Sequence, residues 1–291
     1  MTPALVAVDW GTTNRRVFTL AADGGVISAR ADDRGVLAVA DFPAEILALR
    51  EESGGAPLLL AGMVGSNRGW VEAPYVSAPA GLADLAAACI HPLPGVTIIP
   101  GVAQTDPARP DVMRGEEVQL LGLATDGLFC HPGTHSKWAT VGGARITGFR
   151  SVMTGDIMAA LTARSILSDL LAMPADNDDA FVAGVDTMLN GGDLTAELFG
   201  VRARVLTGHL PTTSGSSRIS GLLIGADIVA GLRDRSDNDV TLVGAAHLCR
   251  RFAIALQRAG RSSVSIDGEA AFVAGAHALA AAIADQTRPA A

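Results

Sequence analysis

Two short strings constrain this chain more than anything else in it. Gly11-Thr12-Thr13-Asn14-Arg15-Arg16 follows the apolar run Leu5-Val6-Ala7-Val8. Gly133-Thr134-His135-Ser136-Lys137-Trp138 follows the apolar run Leu128-Phe129-Cys130. Each string opens a second strand and a tight turn. After the first come strand 15–21, the turn Asp23-Gly24-Gly25 and strand 26–31. After the second come strand 138–141, Gly142-Gly143 and strand 144–149. Apolar runs broken by glycine pairs read as hairpins. Two strand–loop–hairpin units with a Gly-Thr loop and a following cation imply two related half-folds, whose loops would face each other across a cleft.

The rest of the chain fills this frame. Leu58-Leu59-Leu60 reads as a buried strand running into the glycine-rich stretch Gly62 to Trp70, and Val96 to Ile99 as another strand. Helices are expected over 43–52 and 82–90, and from Arg114 through Gly122. Later helices are expected over 156–171, 178–189 and 220–232, the last with Gly221, Gly225 and Gly231 allowing close packing. Leu242-Val243-Gly244-Ala245-Ala246 is a strand ending in a small-residue turn before helix 247–259, and Val264 to Gly268 repeats the device before helix 269–284. Strands alternating with helices, opened by antiparallel hairpins, predict an α/β fold with mixed sheets. The expected division is 1–112 and 113–291.

Composition removes other classes. With 291 residues, 49% hydrophobic and 18% charged, the chain can build a core without metal or disulfide staples. Cys89, Cys130 and Cys249 lie far apart, with no C-x-x-C pair, so no zinc ribbon or dithiol motif is expected. The odd cysteine count and the lack of a secretory signal suit a reducing cytoplasm. A net charge of −8 and no basic cluster argue against nucleic acid. The longest uncharged apolar run is too short for a membrane span. Ser136 precedes the only lysine, Lys137, so the chain has no P-loop; an esterase elbow and a zincin helix are absent as well.

Several residues could carry chemistry. Backbone N–H groups of a Gly-Thr-Thr loop, with two hydroxyls, can hold phosphate oxygens. Asp9, at the end of the strand before it, can hold Mg²⁺ through water. The same stretch also reads as a tight turn with a capping aspartate. Gly133, Thr134 and Ser136 offer a second set of donors, although His135 and Lys137 taken singly read as turn and surface residues. Glu116 and Glu117 suit the dipole of a helix start, and one of them could instead act as a general base. Gly244 and Ala245 let a flat ring approach the backbone. Asp156 reads first as an N-cap or first-turn acid.

Taken together these pieces are recognisable. Asp9 to Arg16 resembles the first phosphate motif of the sugar kinase/heat-shock 70/actin superfamily, Pro132 to Lys137 its second, and Leu242 to Ala246 its adenosine motif. More narrowly, Ala61-Gly62-Met63-Val64-Gly65-Ser66-Asn67, Ala73-Pro74-Tyr75, Val112-Met113-Arg114-Gly115-Glu116-Glu117, Met153-Thr154-Gly155 and Ser220 to Ala226 resemble the 2-dehydro-3-deoxygalactonokinase family from end to end. Asp156 stands where that family would have glutamate.

The resemblance implies two ribonuclease-H-like (actin-like ATPase) domains with a nucleotide cleft between them, and a C-terminal helix packed on the first domain. It implies a cytoplasmic kinase that uses ATP and Mg²⁺ to phosphorylate the C6 hydroxyl of 2-dehydro-3-deoxy-D-galactonate. Asp9 would hold the metal. Gly11, Thr12, Thr13, Arg16, Gly133 and Thr134 would hold phosphates, and Gly244 and Ala245 the adenine. Glu116 is the expected base, with Glu117 left open. Asn14, Ser66, Asn67, Arg68, Arg114, His135 and Lys137 are the expected sugar-acid residues. The expected partners are a small sugar acid, ATP and a second copy of the chain as a homodimer, with no nucleic acid and no membrane. Two alternatives remain: a kinase of a related sugar acid such as 2-dehydro-3-deoxygluconate, and a non-catalytic sugar sensor. A chain starting on a strand by residue 5 leaves no room for a sensor's helix-turn-helix segment.

Overall fold

The hairpins expected in the first thirty residues form a meander. β1 (Leu5–Trp10), β2 (Arg15–Leu20) and β3 (Val26–Asp32) run antiparallel, and the register sets Asp9 opposite Arg16. The structure is a computed structural model describing residues 2–233, 235 and 239–287. α1 (Phe42–Glu52) is capped by the Asp41 side chain, which accepts from the Ala44 N–H at 3.0 Å. It leads to β4 (Leu58–Gly62), buried at every position and parallel to β1.

β5 (Tyr75–Ser77), β6 (Ala80–Gly81), α2 (Leu82–Ala88), β7 (Ile90–Leu93) and β8 (Val96–Ile98) follow. The first sheet has the order β3-β2-β1-β4-β8-β7. β9 (Gly101–Gln104) and β10 (Asp111–Met113) join β5 in a three-stranded sheet, and α3 (Glu116–Gly122) comes next.

The second string sits between β11 (Gly127–His131) and β12 (Ser136–Gly142), and β13 (Arg145–Val152) completes its hairpin. Helices α4 (Thr154–Arg164), α5 (Ser168–Leu171), α6 (Asp178–Leu189), α7 (Leu194–Leu206) and α8 (Gly215–Leu232) follow. β14 (Asp239–Gly244) and β15 (Ser262–Asp267) extend the parallel order from β11, separated by α9 (Ala246–Arg258) and followed by α10 (Gly268–Thr287).

The residues pack as two compact units: Met1–Asp126 with Ala139–Phe149 and Gly268–Ala291, and Gly127–Trp138 with Arg150–Asp267. This division is drawn differently from the sequence boundary at residue 112. α3 stays with the first unit because α10 packs on it and on α2. Phe272 meets Phe18 with ring centroids 5.6 Å apart. Gly122 and Gly275 bring the α3 and α10 backbones together: a Cβ on Gly275 would lie 1.9 Å from the Val118 carbonyl. The first core gathers Val6, Val8, Trp10, Leu58, Leu60 and Ile98. The second gathers Leu128, Trp138, Phe181, Ile228 and Leu242.

Three sequence expectations need correction. The helix expected over 156–171 is two helices, because the Ser165 and Ser168 side chains hydrogen-bond the backbone at the break. α7 fell in a stretch with no element assigned. The helix expected from Ser220 begins at Gly215, and a Cβ on Gly221 would sit 2.0 Å from the Phe181 carbonyl, so α6 and α8 pack backbone to backbone.

Candidate active site

In the first unit, the Gly11–Asn14 loop is held by main chain. The Gly11 N–H donates to the Asn14 carbonyl at 2.9 Å, and the N–H groups of Gly35, Val36 and Leu37 donate to the carbonyls of Thr13, Gly11 and Thr12. Only glycine fits at 35, since a Cβ there would lie 2.4 Å from the Thr12 carbonyl oxygen. With its carbonyls engaged below, the loop leaves Thr12, Thr13 and Asn14 exposed.

Charges surround this loop. Arg15 is buried, stacks on Trp10 at 5.0 Å and donates to Asp32 and Glu45, each at 2.8 Å. Arg16 points the other way. It pairs with Asp9 at 3.0 Å and with Glu269, in the first turn of α10, at 3.2 Å. Asp9 therefore sits at the end of β1 with its carboxylate already engaged by a cation.

The end of β4 and the start of α3 meet beside this loop. Gly62 has φ +87°, and a Cβ on it would lie 2.8 Å from the Trp10 carbonyl. A Cβ on Gly115 would lie 3.3 Å from the Gly62 Cα. The Gly-Met-Val-Gly-Ser-Asn segment and the Gly-Glu-Glu segment are thus adjacent within one unit. Ser66 is buried, its hydroxyl donating to the Met63 carbonyl at 2.7 Å, while Asn67 and Arg68 are exposed.

The two glutamates differ. Glu117 is fully buried and accepts from the Gly115 N–H through both oxygens, at 2.8 and 2.7 Å. Burial, with the Glu116 charge second, raises its carboxyl to about 8. Glu116 is half-buried at the helix start, with one oxygen accepting from the Arg114 N–H at 3.2 Å. Arg114 is turned inward. It stacks on Tyr75 at 4.3 Å and donates to the Ala73 carbonyl at 2.8 Å, leaving its buried Nε and Nη1 without hydrogen bonds.

In the second unit, the Gly133–Ser136 loop lies against the start of α4. Thr134 and His135 are exposed, while Ser136 and Lys137 are buried, so Lys137 is not the solvated surface residue that its isolated reading suggests. His135 Nε2 lies 3.6 Å from Asp156 Oδ2. The start of α4 lies against the loop: the Asp156 N–H donates to the Thr134 carbonyl at 3.0 Å, and a Cβ on Gly155 would lie 2.6 Å from the Gly133 carbonyl. A Cβ on Gly133 itself would meet nothing within 4 Å, so packing does not demand glycine there.

A cavity of about 400 Å³ opens next to this loop, lined by Gly133, Gly155, Ser220, Leu223, His247 and Phe252 among others. Gly244 is buried and Ala245 exposed; neither lines it. The residues just beyond them, His247 and Leu248, do. One buried group escaped the sequence reading. Asp227, in the middle of the apolar α8, accepts from Trp138 Nε1 at 2.7 Å and from Thr154 Oγ1 at 2.5 Å. Its only sequence signal is a lone acid in a run of Leu, Ile, Ala and Gly.

Comparison with known proteins now places the chain. The family model of 2-keto-3-deoxy-galactonokinase matches residues 9–279. The chain belongs to this family. It is 38% identical to the 2-dehydro-3-deoxygalactonokinase of Escherichia coli K12, over 98% of this chain and 100% of that one. A crystal structure of a Sinorhizobium meliloti protein named for the same kinase activity superposes with TM-score 0.89 at 35% identity, covering 96% and 99% of the two chains. At 11% identity and TM-score 0.51, the activator of the 2-hydroxyisocaproyl-CoA dehydratase from Clostridium difficile, solved with ADPNP, shares the fold over 99% of both chains. The α/β fold expected from the two loops is the one these relatives have.

Proposed function

We propose that this kinase transfers the γ-phosphoryl group of ATP to the C6 hydroxyl of 2-dehydro-3-deoxy-D-galactonate. Family membership carries the reaction class and the sugar acid. One observation carries the site: the first unit sets the end of β1, the exposed Asn67–Arg68 turn and the acidic start of α3 side by side. Phosphoryl transfer is largely positioning and charge stabilisation. Such a cluster can hold a hydroxyl and an anionic sugar together.

Glu116 is the base. It is the acid of the pair with access to solvent, it follows Gly115, whose backbone approaches Gly62, and it would take the C6 proton. Glu117 is sealed off and fixes Gly115 instead. Asn67 and Arg68 hold the substrate carboxylate, a task for which an exposed guanidinium is suited. Arg114 supports them from below by anchoring the Ala73–Tyr75 backbone. Asn14 and Ser66 remain secondary contacts in the first unit; His135 and Lys137, the other residues expected from the sequence, belong to the second unit.

In the second unit the cavity beside His247 and Leu248 accepts the nucleoside, with Gly244 and Ala245 shaping the turn before it. Gly133 and Thr134 would donate to phosphate oxygens, and Gly11, Thr12 and Thr13 offer donors of the same kind in the first unit. Mg²⁺ would come with the nucleotide. Among the described residues no three His, Cys, Asp or Glu side chains converge as a metal site, and a single carboxylate, Asp9, fits an ion that keeps its waters. When bound, the ion neutralises phosphate charge; Arg16, held between Asp9 and Glu269, adds to that field.

The proposed setting is the cytoplasm and the proposed assembly a homodimer; fractionation and light scattering would test them. Among the described residues no helix is long and apolar enough to cross a membrane. The proposed division gives 1–112 the first phosphate motif and sugar-acid binding and 113–291 the second phosphate and adenosine motifs, with the acidic start of α3 packing in the first unit. ADP release with ATP and Mg²⁺ on the galactonate derivative and its gluconate epimer tests the function. Turnover on the first alone is expected; turnover on neither would remove the kinase reading. Glu116→Gln is expected to lower kcat by roughly 10²–10⁴, and unchanged turnover would exclude it as the base.

A further inference from the structure

Asp227 has no part in the chemistry above, yet it is one of the most enclosed charged groups in the second unit. Burial raises its carboxyl above the usual range, while Thr154, Trp138 and Ser136 pull against that shift. Replacing it alone with an apolar side chain would strand the Trp138 and Thr154 donors in the interior, so its first task is to satisfy them, and where those donors sit gives it a second.

Its donors belong to the two elements that hold the Gly133–Ser136 loop. Trp138 is on β12, the strand by which the chain leaves the loop. Thr154 is the first residue of α4, and the next two residues touch the loop from its other side. The Asp156 N–H holds the Thr134 carbonyl, and Gly155 abuts the Gly133 carbonyl. The Ser136 hydroxyl is buried beside the same carboxylate.

We propose that Asp227 is a positioning residue: by tying β12 to α4 it aims the Gly133 and Thr134 N–H groups at the nucleotide's phosphates without touching them. The inference rests on the nucleotide reading of this loop. It adds that a group on α8 controls phosphate binding separately from nucleoside binding.

Calorimetric titration of the full chain with adenosine, and with ATP and Mg²⁺, tests it. For the wild type the ATP-to-adenosine affinity ratio should be large. In Asp227→Asn and Thr154→Val that ratio is expected to fall about tenfold or more, the worth of one well-placed charge-assisted hydrogen bond. Adenosine affinity should stay within about twofold in Asp227→Asn, whose side chain does not line the cavity; Thr154 does line it, so its variants are read on the ratio alone. Thr154→Ser, which keeps the hydroxyl, should restore the ratio. Equal losses for ATP and adenosine would make Asp227 a packing residue and overturn the proposal, as would an unchanged ratio. A wild type that binds ATP no better than adenosine would sink the phosphate reading of the loop itself, and this inference with it. If Asp227→Asn does not fold, the Thr154 pair decides.

Discussion

Gly11–Asn14 and Gly133–Ser136 share a residue pattern but are held in place by different physics. The first loop lies on a ladder of main-chain hydrogen bonds from Gly35–Leu37, and the charges around it reach solvent through Arg16 and Glu269. The second hangs between a helix start and a strand that a buried carboxylate joins. Main-chain support tolerates side-chain changes and fails when a backbone is displaced. Side-chain support concentrates the load on one or two groups. A similar motif in two places therefore does not imply similar sensitivity to mutation.

The largest expected effect lies under the first loop. Arg15→Ala would take from Asp32 and Glu45 the cation they share, leaving each a second arginine, Arg30 and Arg34, and is expected to cost about 3 kcal/mol in urea unfolding. A loss below about 1 kcal/mol would mean that the pairs behave as surface contacts. Gly35→Ala comes next. Its Cβ would meet the Thr12–Thr13 backbone, and a displacement costing about 1–3 kcal/mol is expected. Full stability in that variant would show that the ladder gives way easily.

Glu117 sharpens the comparison through pH. Its folded carboxyl sits near 8 against a reference of 4.5, so the folded chain keeps a proton that the unfolded chain has released. Stability should therefore fall as pH rises through that window, by up to about 1.4 kcal/mol per pH unit. The charged groups facing it are Glu116 and Arg114. Glu117→Gln should flatten the curve, and parallel curves for the two proteins would refute the assignment. The smallest expected change in stability is at Gly133. With open space around its Cβ, Gly133→Ala should alter stability by less than about 0.5 kcal/mol. It should still raise the KM for ATP, because the methyl group would occupy the phosphate's approach. An unchanged KM would leave that glycine unexplained.

What the sequence showed and what it hid follow from range. β1, β4, β11 and β14 were legible because each holds an apolar run ending in glycine or a polar loop, and β2 because the Asp23-Gly24-Gly25 turn closes its hairpin. The β5-β9-β10 sheet was not. Its strands are three or four residues long, and Pro74, Pro100 and Pro110 interrupt the pattern around them. Asp9, the Gly-Thr loops and the Glu116–Glu117 pair could be picked out because chemistry and local turn signals coincide there. The inward turn of Arg114 depends on Tyr75, and the role of Asp227 depends on Trp138 and Thr154. Both are contacts between residues distant in sequence, and no local pattern encodes them.

The close seating of α10 on α3 bears on how the protein is made. Gly268–Thr287 completes the unit that begins with β1, so a ribosome delivers the last helix of the first unit after it has delivered the whole of the second. The second unit can finish folding while the first still exposes the apolar faces of α2 and α3. Nascent chains stalled before residue 268 should therefore hold a protease-resistant second unit beside an N-terminal segment that chaperones still bind.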